Sequence, residues 1–271
     1  MASLETKLPN SSGKGSLWKM TGQTQVVTFI GAGGKTTCVR AITQEIVSAG
    51  QRVIATTTTK VYPDASMKGW KSSSPPPYEQ QDACFWYVDV LEDSDKWLGP
   101  PVQAVDEAIA KANIRDHNKP YWVIEGDGAR GLKLKCWEPH EPQIPKRSDC
   151  VVLVLEGSLW GKVLPEKQVH RPACCPDLLG QVWDAETAWR YFLRSPVFDP
   201  QYGPMSWVIL LNCHGENAEN EDLVKPLVLL EDLRHRWKEI QPDIETLKYR
   251  PSHLRLAAGD AKEGKLQWFD L

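Results

Sequence analysis

Residues 26–42 read VVTFIGAGGKTTCVRAI, an apolar run that breaks into glycines, one lysine and two threonines. A continuous apolar run such as 26–30 is typical of a strand buried on both faces. The residues after the glycines place apolar side chains on one helical face, namely Val39, Ile42, Ile46 and Ala49. The stretch therefore predicts a strand, a glycine turn and a helix.

The glycine turn has the composition of a phosphate-binding loop. Glycines let backbone N–H groups converge on an anion, and the following helix N-terminus and a lysine add positive charge. The predicted cofactor-binding residues of the loop are Gly31, Ala32, Gly33, Gly34, Lys35, Thr36 and Thr37. We expect Lys35 to face solvent, to hold the phosphates and to be catalytic, and the Thr36 hydroxyl to reach Mg²⁺.

The spacing is shorter than in the usual motif, because only Ala32 and Gly33 separate Gly31 from the Gly-Lys pair. A glycine turn with a solvated lysine is the alternative interpretation. The order of strand, glycines, Lys-Thr-Thr and amphipathic helix favours the phosphate loop.

Carboxylates follow the apolar run of residues 121–124 in the stretch YWVIEGDGAR. Glu125 and Asp127 lie two positions apart, so in extended backbone they project to the same side and can share one hydrated Mg²⁺. We predict that both are metal ligands and that Asp127 is also catalytic. An acidic turn after a strand is the alternative.

A third polar segment ends the apolar run of residues 53–55, where the sequence continues as four threonines and a lysine. Ligands of open α/β sheets bind at the carboxyl ends of the strands. Thr57 and Thr58 are therefore predicted to contact a metal or the γ-phosphate. Threonine is also simply favourable in strands, which is the alternative.

Short apolar runs alternate with helical patterns along the chain, which predicts an α/β fold with a mostly parallel sheet flanked by helices in three layers, similar to the P-loop NTPases. Further strands are expected at 150–155 and 207–211, and an additional one at 83–90. Further helices are expected over 102–112, after Asp184 and over 223–237.

We divide the chain into a disordered or loosely docked tail at residues 1–22 and a single domain at 23–271 that carries a proline-rich loop at 71–81. The net charge of −3 gives no reason to expect nucleic acid or an anionic membrane as a partner. The apolar runs are too short to span a bilayer, and we expect a cytoplasmic protein.

Seven cysteines are scattered without a CxxC pair, which favours reduced thiols over disulfides or a zinc site. The vicinal pair Cys174 and Cys175 is likewise expected to consist of buried thiols.

Five segments in chain order, GAGGKTT, TTTTK, EGDGARGLKLK, HEPQIP and VHRP, resemble the YqeC-like family of selenium cofactor biosynthesis proteins. These are also described as accessory proteins of selenium-dependent molybdenum hydroxylases. The resemblance covers residues 26–212. Besides the loop, the matching positions are Thr57, Thr58, Lys60, Glu125, Asp127, Gly128, His140, Glu141, Pro142, His170 and Arg171.

The resemblance implies a P-loop-like nucleoside-triphosphate-binding fold linked to selenium-containing molybdenum hydroxylases. Where the family tends towards an Asn-Lys-x-Asp strand end, this chain retains Asn212 but has Cys213 and Gly215 in the other places. Asn212 is predicted to contact the nucleotide, and guanine selectivity is not expected.

Two further side chains are predicted to be catalytic. Arg171 is placed to stabilise charge on a transferring phosphoryl group, with Arg130 as the alternative. His140 is a general base or orients a second substrate. For either residue, an ordinary surface or packing role is the competing interpretation.

The sequence thus predicts a protein that binds Mg²⁺ with ATP or GTP and hydrolyses the nucleotide during maturation of a selenium or molybdenum cofactor. The expected partners are the nucleotide and a molybdenum hydroxylase or its cofactor. An ATP-dependent ligase with a Mur-type loop, or a small-molecule kinase, is the first alternative. A nucleotide-gated carrier or chaperone without chemistry on a second substrate is the other.

Overall fold

The computed structural model of the protein describes residues 12–80, 82–115, 119–213, 226–244, 249 and 251–271. The helices are α1 (Leu17–Met20), α2 (Lys35–Ser48), α3 (Val102–Arg115), α4 (Ala185–Leu193) and α5 (Pro226–Ile244). The strands are β1 (Gly13–Gly15), β2 (Val26–Gly31), β3 (Val53–Thr57), β4 (Lys60–Val61), β5 (Lys68–Lys71), β6 (Cys84–Tyr87), β7 (Asp89–Val90), β8 (Trp97–Leu98), β9 (Tyr121–Glu125), β10 (Leu134–Lys135), β11 (Cys150–Glu156), β12 (Val169–His170), β13 (Ser206–Asn212), β14 (Leu254–Asp260) and β15 (Lys265–Asp270).

A ten-stranded sheet runs through the described residues in the order β5-β6-β3-β9-β2-β11-β13-β14-β15-β1. Neighbouring strands from β5 to β14 pair in parallel, whereas β15 pairs antiparallel with both β14 and β1. The predicted α/β class with a mostly parallel sheet is therefore confirmed. The strand that leads into the glycines, β2, is central, and its carboxyl end lies between those of β9 and β11.

Helices cover both faces of this sheet. Val27 and Phe29 of β2 lie in the core that contains α1 and α2, and Ile30 lies in the core beneath α4 and α5. On the latter side, α3 packs over Trp122 and Ile124 of β9. Successive side chains of a strand point to opposite faces, so a continuous apolar strand supplies both layers.

Helix α4 begins where the sequence predicts. The Asp184 carboxylate accepts the Thr187 N–H at 2.9 Å and caps the helix. The predicted extra strand at 83–90 is divided into β6 and β7. Of the predicted helix at 223–237, residues 223–225 lie outside the described residues.

Residues 13–20 do not form the loosely docked tail that the sequence predicts, and residues 1–11 lie outside the described part. Strand β1 pairs with β15, and Leu17 and Met20 of α1 are fully buried. Glu45 of α2 accepts the N–H groups of Leu17 and Trp18 at 3.1 and 2.8 Å. Burial of two large apolar side chains offsets the ordering cost of this short segment.

The prediction that every cysteine is reduced is wrong, because Cys136 and Cys175 form a disulfide. Strand β10 pairs in parallel with β12, and the Cys136 N–H donates to the His170 carbonyl at 3.0 Å. This pairing brings together two segments that are 39 residues apart. The neighbouring Cys174 is exposed, so the expected pair of buried thiols is also wrong.

Among the described residues, no helix is both long enough and apolar enough to cross a membrane.

Candidate functional site

The glycine turn adopts a backbone that side chains other than glycine rarely tolerate. Gly31, Gly33 and Gly34 have φ values of 94°, 86° and 110°. A Cβ on Gly31 would lie 2.4 Å from the Val154 carbonyl oxygen, and one on Gly33 would lie 2.3 Å from the Glu156 nitrogen. Glycine is therefore required both for the left-handed conformation and for the close approach to β11.

The turn leads directly into α2. Gly34 is the N-cap residue of the helix, and no side chain of the described residues caps it. The first N–H groups of a helix have no intrahelical acceptor and carry partial positive charge. Ala32 is held separately, because its N–H donates to the Val154 carbonyl at 2.9 Å.

Lys35 is buried, contrary to the expectation that it faces solvent, and only 6% of the residue is exposed. Its Nζ donates to the Gly31 carbonyl at 2.6 Å. The same Nζ lies 3.3 Å from Oδ1 of Asp127 and 3.9 Å from Oε1 of Glu125. A buried ammonium is stable here because two carboxylates and a carbonyl surround it.

Glu125 ends β9 and accepts a hydrogen bond from the Thr36 hydroxyl through Oε2 at 3.0 Å. Burial raises the pKa of the Glu125 carboxyl, and the Asp127 charge acts in the same direction. The Lys35 charge and the hydrogen bond from Thr36 oppose that shift. A group that costs free energy when ionised in the folded protein is one that a cation would stabilise.

Asp127 is fully buried and connects the glycine turn to the rest of the site. Its two carboxylate oxygens accept the Gly31 N–H at 3.1 and 3.0 Å. The Trp137 indole N–H donates to Oδ2 at 2.8 Å. With these donors and Lys35 around it, Asp127 acts first as a positioning group for the turn.

A chain of ion pairs extends from Asp127. Lys135 Nζ lies 3.9 Å from Oδ2 of Asp127 and donates to Oε1 of Glu141 at 2.9 Å. The Arg171 Nε lies 2.7 Å from Oε2 of Glu141, and its Nη1 pairs with Glu138. Burial alone would raise the pKa of Glu141, but the hydrogen bond from Lys135 and the Arg171 charge hold it below its usual range.

The two histidines lie in different surroundings. His140 is exposed, with Nδ1 3.5 Å from Oε2 of Glu138. His170 belongs to β12, where burial lowers its pKa and the charges of Lys135 and Arg171 lower it further. His170 is therefore neutral at pH values near 7 and has a nitrogen lone pair.

The threonines of β3 are engaged with main-chain carbonyls. The Thr57 hydroxyl donates to the Glu125 carbonyl at 2.9 Å, and the Thr58 hydroxyl donates to that of Gln143 at 2.7 Å. These bonds fix β3 against the end of β9. Direct contact of either hydroxyl with a metal or phosphate stays a prediction.

Asn212, at the end of β13, is fully buried. Its amide donates to the Gly33 carbonyl at 2.9 Å, and its Oδ1 accepts the Ala261 N–H at 3.2 Å. The side chain thus ties the glycine turn to the end of β14. Gly215 lies outside the described residues.

A cavity of about 530 Å³ adjoins this network. Its walls include Trp137, Glu138 and Glu141, together with the Cys136–Cys175 disulfide. Trp137 contributes to both places, because its ring lines the cavity and its N–H bonds Asp127. The volume is within the range of sites for small ligands.

Sequence reasoning missed two partners of Asp127. They are Lys135 and Trp137, to which the sequence pattern assigns no role in the site. Both lie in the KLKCW stretch that follows the carboxylates, and neither spacing nor composition marks them. Their position depends on the chain turning back through β10, which only the three-dimensional structure shows.

The oxygen donors near the turn suit a hard cation. Thr36 and Glu125 provide a hydroxyl and a carboxylate on adjacent elements. Within the described residues there is no group of three or more His, Cys, Asp or Glu side chains that could hold a metal. Mg²⁺ typically uses one or two protein oxygens and takes its other ligands from water and substrate phosphates, so the donor set fits Mg²⁺.

Comparison with known proteins gives one family. A family model described as YqeC protein matches residues 27–173, which is more than half of the chain. A protein of Escherichia coli (strain K12) named "Uncharacterized protein YqeC" is 29% identical over 171 residues, covering 59% of this chain and 62% of that protein. The match thus spans less than two thirds of that relative's length. No solved structure matches the chain significantly.

Proposed function

The chain belongs to the YqeC protein family, and from this premise we propose that it binds a nucleoside triphosphate with Mg²⁺ at the glycine turn and hydrolyses it. One observation carries the proposal. The turn of Gly31, Gly33 and Gly34 opens α2 beside a buried lysine and two buried carboxylates. A short run of left-handed glycines before a helix presents N–H groups to an anion.

Each group has a distinct role in this proposal. The N–H groups of the first turn of α2 hold the phosphates, and Lys35 neutralises their outer oxygens. Thr36 and Glu125 hold Mg²⁺, which supplies positive charge to the phosphoryl group when bound. Asp127 keeps the turn in position through Gly31 and orients Lys35. Asn212 fixes the other side of the turn through Gly33.

Lys35 provides a link between the free and nucleotide-bound protein. In the structure its charge is matched by Glu125 and Asp127. With a cation held at Glu125, the two carboxylates would depend less on Lys35 for charge compensation, and Lys35 could then interact with phosphate. We therefore propose that Mg²⁺ and nucleotide bind cooperatively.

The process served by the nucleotide is proposed from the resemblance alone. We propose maturation of a selenium- or molybdenum-containing hydroxylase, with that enzyme or its cofactor as partner. Arg171 and His140 are proposed to act in that step. In the structure Arg171 is paired with Glu138 and Glu141, so it has to leave at least one carboxylate to reach a phosphate.

The cavity beside Trp137 favours a second candidate function, in which the phosphoryl group passes to a small molecule rather than to water. Trp137, which lines this cavity, donates its indole N–H to Asp127. A ligase or kinase needs such a second pocket, whereas a nucleotide-gated carrier does not.

The test of nucleotide binding uses two variants. Lys35→Met removes the charge and retains most of the side-chain volume, and Thr36→Val removes the hydroxyl from an exposed position. Lys162→Met, at an exposed site outside the turn, is the control. We expect calorimetric titration with Mg·ATP and Mg·GTP to show binding by the wild type and the control. Loss of at least about tenfold in affinity is expected in each site variant, since charge-assisted hydrogen bonds contribute about 1.5–3 kcal/mol.

Normal affinity in both folded site variants contradicts the phosphate-loop assignment. If Lys35→Met proves unstable because two carboxylates lose their cation, Thr36→Val still decides the matter. Single-turnover measurement of phosphate release then separates hydrolysis from binding alone.

A further inference from the structure

A second cavity, of about 510 Å³, lies away from the glycine turn. It is formed by α3, by the proline-rich loop at residues 73–78 and by the strands near their amino ends. Arg52 and Pro120, which precede β3 and β9, line it. The glycine turn lies at the carboxyl ends of the strands in the same sheet, so the two sites are at opposite ends of the strands.

Arg52 supplies a buried positive charge to this cavity, with only 6% of the residue exposed. Its Nε donates to the Gln80 carbonyl at 2.9 Å, and Nη2 donates to the carbonyls of Pro76 and Pro77 at 3.0 and 2.9 Å. The guanidinium carbon of Arg52 lies over the Tyr78 ring, 5.9 Å from the ring centroid. These contacts orient the guanidinium and attach the loop to the sheet.

No carboxylate in the described part of the chain forms an ion pair with Arg52, and no hydrogen bond of Nη1 is found there. Neutral carbonyls stabilise a buried cation less than an anion does. Burial accordingly lowers the pKa of Arg52. Glu107 of α3, which lines the cavity, is exposed and already paired with Lys111 at 3.7 Å. The nearby Glu79 charge partly opposes the lowering of the Arg52 pKa, but within the described residues the guanidinium has no carboxylate in direct contact.

The remaining walls are largely apolar. The rings of Trp86 and Trp122 meet edge to face at a centroid distance of 6.4 Å, and Ile54 lies on the same face. The α3 wall consists of small side chains, Ala104, Ala108 and Ala112. Aromatic walls with a small-residue wall opposite form a space suited to a planar apolar group.

We propose that this cavity binds a small aromatic monocarboxylate, with its ring between α3 and the two tryptophans and its carboxylate on Arg52. A guanidinium offers a planar fork of donors that matches a carboxylate. A neutral ligand would leave the buried guanidinium without a counterion in contact. A large polyanion is disfavoured because the cavity walls are largely apolar and offer few polar groups to bind its charges. The site is independent of the proposed nucleotide site.

The experiment uses 1-naphthoate as the probe and 1-naphthalenemethanol as its neutral counterpart, with the full chain and saturation-transfer NMR followed by calorimetric titration. We expect the acid to bind and the alcohol to bind at least about tenfold more weakly, which corresponds to about 1.4 kcal/mol. Arg52→Lys retains the charge but loses the fork, and we expect about a tenfold loss for the acid alone.

Because Arg52 also holds the proline-rich loop, a second variant leaves it untouched. Ala104→Phe fills the cavity from α3, and Ala110→Phe makes the same change on the same helix outside the lining residues. Binding should be lost in Ala104→Phe and retained in Ala110→Phe. The proposal is overturned if the wild type does not bind 1-naphthoate, if acid and alcohol bind equally, or if Ala104→Phe binds like the wild type.

Discussion

Asp127 accepts the Gly31 N–H through both carboxylate oxygens, at 3.1 and 3.0 Å. Gly31 is the first residue of the turn and cannot carry a side chain without meeting β11. The carboxylate also receives the Trp137 indole N–H at 2.8 Å. The position of the turn therefore depends on a residue that sequence reasoning assigned to the metal.

Substitutions of the two carboxylates, Asp127 and Glu125, should therefore have different effects on nucleotide binding. Asp127→Asn presents an amide N–H₂ where a donor now points, so we expect it to lower the free energy of unfolding by about 2 kcal/mol and to weaken nucleotide binding both with Mg²⁺ and with EDTA. Glu125→Gln should weaken binding only when Mg²⁺ is present. Calorimetric titration under both conditions gives the comparison. Equal behaviour of the two variants contradicts the division of roles.

The Trp137 hydrogen bond has a measurable contribution of its own. Trp137→Phe retains a ring against Tyr191 and removes the donor to Asp127, so we expect a loss of about 1–3 kcal/mol in unfolding free energy beyond that due to ring size. Trp207→Phe is the matched control, because Trp207 is buried and its indole N–H has no partner among the described residues. Denaturant titration of both variants measures the difference. Equal losses would mean that the bond to Asp127 contributes nothing.

The fold was predictable where apolar runs are local. β2, β3, β9, β11 and β13 all begin and end within two residues of the predicted runs, because strands buried on both faces have no polar alternation. β14 and β15 were not predicted. Arg255 and Gly259 interrupt the apolar run of β14, so the sequence pattern does not mark it as a buried strand. The Arg255 charge is paired with Asp270 of β15, whose Oδ1 lies 2.6 Å from the Arg255 Nε.

The candidate site was predictable to the same extent. The glycines, Lys35 and Glu125 adjoin strand ends that the apolar pattern marks, so their meeting follows from a parallel sheet. Trp137 and the Cys136–Cys175 disulfide depend on the pairing of β10 with β12. Each of these strands has only two residues, and no periodicity can be read from such a length.

The disulfide should contribute substantially to stability. It joins residues 39 positions apart, and loop closure of that length corresponds to about 4 kcal/mol in the chain-entropy model. Reductant should therefore lower the denaturation midpoint of the wild type. The double variant Cys136→Ala with Cys175→Ala should be less stable and insensitive to reductant, whereas Cys174→Ala should behave like the wild type. A wild type that is unaffected by reductant, although thiol titration shows complete reduction, contradicts this prediction.

Acid should weaken the ion-pair chain through Glu141. The folded-state pKa of Glu141 lies below its usual value of 4.5 because Lys135 and Arg171 favour the carboxylate. A depressed pKa gives stability that is present above the unfolded pKa and is lost as the pH falls through the folded one. Below pH 4.5 the wild type should lose more unfolding free energy per pH unit than Glu141→Gln does. Thermal unfolding at several acidic pH values compares the slopes, and parallel slopes would exclude a contribution from Glu141.

Base selectivity is expected to be weak. Asn212 stands where a guanine-reading strand end begins, but its amide donates to the Gly33 carbonyl and its Oδ1 accepts from Ala261. A side chain that fixes the turn on one side and β14 on the other does not distinguish bases. Because the sequence has Gly215 where the motif has the aspartate that accepts the guanine N–H groups, we expect no unpaired acceptor there to disfavour adenine. ATP and GTP should therefore bind within about tenfold of each other, a difference of about 1.4 kcal/mol.

Asn212→Ala should weaken the binding of both nucleotides equally, because it loosens the glycine turn rather than changing contacts with the base. Competition between the two nucleotides at equal concentration tests the first point, and titration of the variant tests the second. A preference for GTP of about a hundredfold or more, or a loss confined to one nucleotide in Asn212→Ala, would show that this strand end reads the base after all.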